Sequence, residues 1–262
     1  MTEKEIASHW NANAEAWAVL SRMGCDTSRD LANTPAFLEL LPSVSGLLGL
    51  DIGCGEGDNT RLLEKQGARI IACDIAEQFL NYAAESQHAD PRRIEYLSAS
   101  ALRLPFADRS FDFVTSVMCM MDGCDPHPAI REAYRVLKPG GFFQFSILHP
   151  CFQTPKFEWV LDDKGCRVAL ICGDYFRDDP HGMDEWMFGA APPELKAKYG
   201  KFKIPRYFMT LHGWLNHLLD VGFVLDRFAE PTVSDETLRQ NPAYCDHRTI
   251  AYFLIIRCRK PE

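Results

Sequence analysis

The chain of 262 residues has no run of lysine and arginine, and its formal net charge is -8. A protein that grips a phosphate backbone usually carries a basic face, so no nucleic acid is expected as partner. None of the ten cysteines forms a C-x-x-C pair, and no paired zinc-ligand spacing is present, so no metal site is expected. Several cysteines sit inside apolar runs, as Cys73 does, which reads as buried thiols in a reducing compartment. No apolar stretch is long enough to span a bilayer. The opening MTEKEIASHW lacks the apolar core of a signal peptide, so the expected location is cytoplasmic and no membrane partner is expected. There is no internal repeat and no low-complexity segment.

What is present is ordinary globular composition, 47% hydrophobic and 24% charged, in a chain long enough to bury a substantial core. Apolar spacing predicts helices over Glu3–Met23, Pro35–Leu41, Glu56–Gln66, Ala76–His88, Pro128–Leu137 and Met209–Val221. Short apolar runs predict strands over Gly46–Ile52, Arg69–Cys73, Arg93–Leu97, Phe111–Met118, Gly141–His149, Phe223–Glu230 and Arg248–Cys258. A Pro-Gly-Gly turn is predicted at Lys138–Gly141. Strands alternating with helices argue for a parallel sheet of βαβ units. The alternation breaks over Pro150–Pro205, which is rich in proline, glycine, aromatics and acids and has no clear period. A long irregular insertion of this kind reads as a lid or binding loop. The stretch Trp10–Arg22 is a second candidate cover, or else an amphipathic helix packed on the sheet.

The most informative segment is Leu50-Asp51-Ile52-Gly53-Cys54-Gly55-Glu56-Gly57-Asp58-Asn59-Thr60. Glycines between a strand and a helix let backbone approach a ligand closely. Asp74 ends the next strand, where an acid accepts hydrogen bonds from a ribose diol. The pair suggests an adenosine-containing ligand. A dinucleotide places its pyrophosphate on the helix amino terminus. Here Asp51, Glu56 and Asp58 would repel it, and Asp58 replaces the third glycine of G-x-G-x-x-G. S-adenosylmethionine has a sulfonium and an ammonium and no phosphate, so an acidic loop suits it. A plain tight turn is the simpler reading of Gly53, Gly55 and Gly57, and Glu56 and Asp58 would serve equally as dipole-stabilising acids of a first helical turn.

With these residues in hand, the chain resembles the class I S-adenosylmethionine-dependent methyltransferases, in particular the group acting on small molecules. LDIGCGEGDNT resembles the family's first motif and IIACDIAEQFL its second; SASALRLPFADRSFDFV and REAYRVLKPGGFF follow in the family's order over Leu47–His149. The resemblance implies a Rossmann-like, mostly parallel seven-stranded sheet with an antiparallel last strand and helices on both faces. A helical cap (1–45), cofactor-binding core (46–149), lid or acceptor insertion after strand five (150–208) and return to the core (209–262) would form one domain.

By position, Asp51 would orient the methionine ammonium, and Gly53, Cys54 and Gly55 would offer backbone, with Asn59 close by. Asp74 would hold the ribose, Ile75 and Phe79 would flank adenine, and Ala101 would offer its amide. Met118 would lie near the sulfonium. Ser100 stands where the family often has aspartate, a weaker neutral acceptor for the adenine amino group. Arg22 and Arg29 are candidates to reach the cofactor carboxylate. If the acceptor must lose a proton, His149, at the carboxyl edge of strand five, is the candidate base, with His127 near Asp122 a weaker one. Tyr175, Tyr207 and His212 read as wall or packing residues. The function so implied is methyl transfer to a small-molecule acceptor. A non-catalytic S-adenosylmethionine-binding module and an NAD-dependent oxidoreductase are the alternatives.

Overall fold

The computed structural model describes residues 1–89 and 94–262. The chain opens on α1 (Glu3–Arg22), started by a capping box in which Thr2 and Glu5 each satisfy the other's backbone amide. One π-helical turn (Arg29–Asn33) then leads into α2 (Thr34–Leu40). The alternating core follows: β1 (Leu48–Ile52), α3 (Asp58–Lys65), β2 (Arg69–Asp74), α4 (Glu77–Ala89), β3 (Ile94–Ser98), β4 (Phe111–Val117), α5 (His127–Val136) and β5 (Leu137–Leu148). The expected start of the third strand at Arg93 lies outside the described residues.

Two antiparallel hairpins come next. One pairs β6 (Lys156–Leu161) with β7 (Arg167–Gly173). The other pairs β8 (His181–Trp186) with β9 (Phe202–Tyr207), and α6 (Pro193–Tyr199) lies between its strands. The chain then returns to the core with α7 (Leu211–Val221), β10 (Val224–Ala229) and β11 (Phe253–Arg259).

The main sheet has seven strands in the order β10-β11-β5-β4-β1-β2-β3. Only β11, the last, runs against its neighbours, β10 and β5. Alternation along the strands divides the core between two faces. On one, Leu50, Phe143 and Phe145 meet Ile130 and Ala133 of α5 and Trp214 and Leu218 of α7. On the other, Ile70, Phe113 and Phe142 meet Leu63 of α3 and Leu38 at the end of α2. Gly49 explains the close fit at the centre: a Cβ there would lie 2.2 Å from the Phe113 ring.

Three local departures from the sequence expectation have physical causes. The helix expected from Glu56 begins at Asp58, because Gly53, Gly55 and Gly57 all hold positive φ (69, 54 and 83°) and keep the chain out of the right-handed helical region. The expected Pro-Gly-Gly turn is drawn into β5, which runs unbroken from Leu137; Gly140 donates to the Lys260 carbonyl, and Lys260 donates back to Gly141. The insertion expected to be irregular is built largely of the two hairpins, whose strands carry no clean alternation of apolar residues.

The order of the sheet places a crevice where the chain reverses its progression, between β1 and β4. In open α/β sheets ligands bind outside the carboxyl ends of strands at such a point. Here the two hairpins and α1 stand over that edge.

Candidate functional site

The bend after β1 is pinned to the end of β2. The amides of Gly53 and Cys54 both donate to the Cys73 carbonyl, at 2.8 and 3.1 Å. One residue further, Asp74 clasps the bend with its carboxylate: Gly55 N donates to Oδ2 and Ala76 N to Oδ1, each at 2.8 Å. A carboxylate has about four lone-pair positions. The amides of Gly55 and Ala76 take two, that of Ile75 also bears on the carboxylate, and the half-buried Asp74 lines a cavity with acceptor capacity left. Burial raises its pKa, opposed by the amides of Ala76 and Gly55.

That cavity has a volume of about 1060 Å³. Ligand pockets commonly run from about 300 to about 1,000 Å³, so two small molecules fit side by side. Its floor is the carboxyl edge of β1, β2 and β4, and its walls include Trp10 and Trp17 of α1 and Trp186 and Arg206 of the β8–β9 hairpin. All eleven positions assigned from the resemblance to a cofactor line it: Asp51, Gly53, Cys54, Gly55, Asn59, Asp74, Ile75, Phe79, Ser100, Ala101 and Met118.

Asp51 is buried at the end of β1. Thr60 donates to its Oδ2 at 2.6 Å and Thr115 to its Oδ1 at 2.9 Å. Loss of water pushes its pKa up to about 6, against the pull of the two hydroxyls and aided by the charge of Asp74. Met118, just past β4, has φ 57°, unusual for a residue with a side chain. Its amide is held by the backbone and hydroxyl oxygens of Ser146, at 3.0 and 3.2 Å. Strain held in this way is characteristic of ligand sites. Burial raises the pKa of the thiols of Cys54, Cys73 and Cys119, with Asp74 adding to each, so they are neutral packing groups rather than nucleophiles.

The acidic bend is less bare than its sequence suggests. Glu56 is bound by Arg22 at 2.9 Å, and Asp58 by Arg29 and Arg61, each at 3.1 Å. Arg29 lines the cavity but shares its guanidinium with Asp26, Asp30 and Asp58; Arg22 lies outside the wall, on Glu56, Tyr82 O and Ser86. The uncompensated charge facing the cavity at the bend is therefore that of Asp51 and Asp74.

His149 is not part of this cavity. It is buried, its Nε2–H donates to Glu230 at 2.8 Å, and its Nδ1 accepts from Cys151 N at 3.2 Å. Burial lowers its pKa, which keeps the ring neutral. With both nitrogens engaged it anchors the start of the insertion, and the structure does not bring this candidate base to the cavity wall. His127 also lies outside the wall and stacks on His217, with ring centroids 4.6 Å apart. Tyr175, Tyr207 and His212 are absent from the wall as well.

Sequence reading missed a further polar group in the cavity wall. Arg206 of β9 is buried, with Nε 2.8 Å from Asp184 of β8 and Nη1 3.2 Å from Asp122 after β4. No local signal pairs residues so far apart; only the hairpin register brings them together. Desolvation pushes the Asp122 pKa up to about 8, opposed by Arg206 and aided by Asp184 and Asp74. Among the described residues no cluster of side chains suits a metal ion, and no helix is long and apolar enough to cross a membrane.

Two observations fit an adenosyl sulfonium. Asp74 has free acceptor positions toward the cavity. A Cβ on Gly55 would meet nothing nearer than Phe79 at 3.8 Å, so the missing side chain leaves room for a ligand against the backbone.

Comparison with known proteins agrees with this geometry. Residues 50–145 match a family described as a methyltransferase domain. The malonyl-[acyl-carrier protein] O-methyltransferase of Pectobacterium atrosepticum is 36% identical over 147 residues, covering 55% of this chain and 56% of that protein. The demethylmenaquinone methyltransferase of Thermobifida fusca is 31% identical over 139 residues, covering 53% of this chain and 58% of that protein. The chain thus spans a little over half the length of these curated relatives. A solved S-adenosylmethionine-dependent methyltransferase from Mesorhizobium loti superposes with a TM-score of 0.70 at 25% identity, over 86% of this chain and 96% of that one.

Proposed function

We propose that the chain transfers the methyl group of S-adenosylmethionine to a small-molecule acceptor held beneath α1 and the β8–β9 hairpin, a reading supported by its match to a methyltransferase domain over residues 50–145 and by its likeness to a solved S-adenosylmethionine-dependent methyltransferase. The observation that carries this reading is Asp74, locked by the amides of Gly55 and Ala76 and turned into a cavity large enough for both reactants. Asp74 receives the ribose hydroxyls, with Ile75 and Phe79 flanking the adenine and Ser100 and Ala101 beside its edge. Asp51 holds the methionine ammonium, and Asn59, Cys54 and the backbone of Gly53 and Gly55 complete that end. Met118 lies by the sulfonium.

The cofactor supplies an electrophilic methyl group on a positively charged sulfur. The chain supplies orientation and dryness. Charge is lost from sulfur in the transition state, so a site walled by Trp10, Trp17 and Phe188 favours the reaction over its hydrated alternative. The hairpins act as the lid, and the acceptor lies between them and the bend. The two relatives above are named for malonyl-[acyl-carrier protein] and demethylmenaquinone, and much of the cover of this acceptor pocket, α1 and the β8–β9 hairpin, lies outside the matched residues.

Formation of S-adenosylhomocysteine, followed by mass spectrometry over a panel of small acceptors, tests the reading. Turnover with at least one acceptor is expected, and Asp74→Ala should weaken S-adenosylmethionine binding roughly ten- to a hundredfold, the worth of about one charge-assisted hydrogen bond. Unchanged affinity in that variant would remove Asp74 from the site.

A further inference from the structure

The wall of the cavity is unusually anionic. Eleven carboxylates and three guanidinium groups line it, and no lysine does. Most of these acids are matched locally, but the Asp122–Arg206–Asp184 group is not. One buried cation sits between two carboxyl groups, so one of them is balanced only by a proton or by a cation from outside the protein. Asp122 is the deeper of the two acids, with 7% of its side chain exposed against 30% for Asp184. Its Oδ1 takes the bond from Arg206, and its Oδ2 accepts no hydrogen bond among the described residues although it lines the cavity. An open oxygen on an otherwise buried carboxyl group calls for a proton or a cation.

The surroundings favour a cation on a small organic body. Along β8, Asp184 and Trp186 alternate onto one face of the hairpin, opposite Ile204 and Phe202 of β9. Trp186 packs edge-on to Trp17 at 5.7 Å and to Phe188 at 5.4 Å, and all three line the cavity with Trp10. Indole and phenyl faces attract ammonium groups, tryptophan most strongly. Aromatic rings thus share the cavity with this carboxyl group, Trp186 and Phe188 on the hairpin side and Trp10 and Trp17 reaching on to Phe79.

We propose that the acceptor is a small molecule bearing a primary or secondary amine, docked with its nitrogen on Asp122 Oδ2 and its body against Trp17, Trp186 and Phe188. This deepens the methyl-transfer reading of the site and rests on it. The arriving ammonium displaces the proton that Asp122 carries in the empty site to solvent and then passes one of its own back, so the carboxyl ends the turnover protonated as it began. The lone pair so freed forms the new N–C bond as the C–S bond breaks and its electron pair stays on sulfur, and the product leaves as a methylammonium. Arg206 and Asp184 are positioning residues: they fix the Asp122 carboxylate and leave one oxygen free. An anionic acceptor would meet the same wall as repulsion.

Tryptophan fluorescence of the full chain, saturated with S-adenosylhomocysteine, tests this with three isosteric probes: phenethylamine, 2-phenylethanol and phenylacetate. The amine is expected to bind about tenfold or more tighter than the alcohol, and the acid weakest, the size of one charge-assisted contact. Asp122→Asn should abolish the preference for the amine while S-adenosylhomocysteine still binds. Trp186→Leu, at a partly exposed position, should weaken the amine severalfold and leave the alcohol less affected. No saturable amine binding at millimolar concentration, equal affinity for amine and alcohol, or a preference that survives in Asp122→Asn would overturn the assignment. Failure of S-adenosylhomocysteine to bind the unmodified protein would instead overturn the methyl-transfer reading beneath it.

Discussion

Gly53 shows how narrowly a single residue is constrained at this site. It holds φ 69°, and a Cβ would fall 2.1 Å from Cys119 Sγ. Gly53→Ala combines left-handed strain with a clash against a buried side chain, so a loss of about 1–3 kcal/mol is expected. Thermal unfolding followed by circular dichroism reads it directly, and an unchanged midpoint would mean that the bend relaxes freely. Asp122 gives a second residue-level prediction. Its pKa is raised from the ordinary carboxylate range to about 8, so the native state keeps a proton that the unfolded chain releases near pH 4. The resulting stabilisation is complete below the unfolded value and is lost as pH rises through the native one. Relative to the unmodified chain, Asp122→Asn should therefore gain stability between about pH 5 and about pH 9. A constant difference across that window would show that Asp122 titrates normally.

At the scale of elements, α1 and the β8–β9 hairpin form one cover. Asn13, buried on α1, donates to Lys203 O at 3.0 Å and accepts from Lys203 N at 3.3 Å, bonding to the backbone of β9 like a neighbouring strand. Trp17 adds ring contacts to Phe188 and Phe202, both at 5.0 Å. Asn13→Ala removes the two bonds and leaves a β9 amide and carbonyl unmatched, a cost of about 2–4 kcal/mol. Hydrogen exchange is expected to quicken in α1 and β9 together while β1 and β4 stay protected. Exchange that quickened in α1 alone would show that the two segments move independently.

This cover was the least legible part of the chain. The core strands announce themselves as short apolar runs between glycine and helical signals, although the last begins at Phe253 rather than Arg248 because residues Asp246–Thr249 form a helical turn. The hairpins do not, because β6, β7 and β8 keep polar or exposed residues on both faces and pair by register rather than by pattern. For the same reason the resemblance places the cofactor residues on the wall, whereas Arg206 is invisible until β9 is paired with β8. His149, the candidate base, lies off the cavity wall in a setting equally hidden from the sequence. Its position at a strand end pointed to catalysis, but its partner Glu230 lies 81 residues away.

For the whole molecule, the sheet order sets the layout. Reversal between β1 and β4 opens a crevice, and the glycine bend, Asp74, Asp122, Arg206 and the aromatic cover all line the cavity there. The acidity of the chain is concentrated there, and it survives local pairing: Glu56 and Asp58 are matched by arginines, while Asp51 and Asp74 are not. A cavity with this balance should discriminate between adenosine ligands by charge. A cation gains from Asp51 and Asp74, and a pyrophosphate is repelled by them.

Isothermal titration calorimetry of the purified chain with S-adenosylmethionine, S-adenosylhomocysteine and NAD tests that discrimination most directly. Saturable binding of both sulfur ligands at one site per chain, with NAD weaker by about a hundredfold or more, is the expected result. Tighter binding of NAD, or no heat with either sulfur compound, would contradict it.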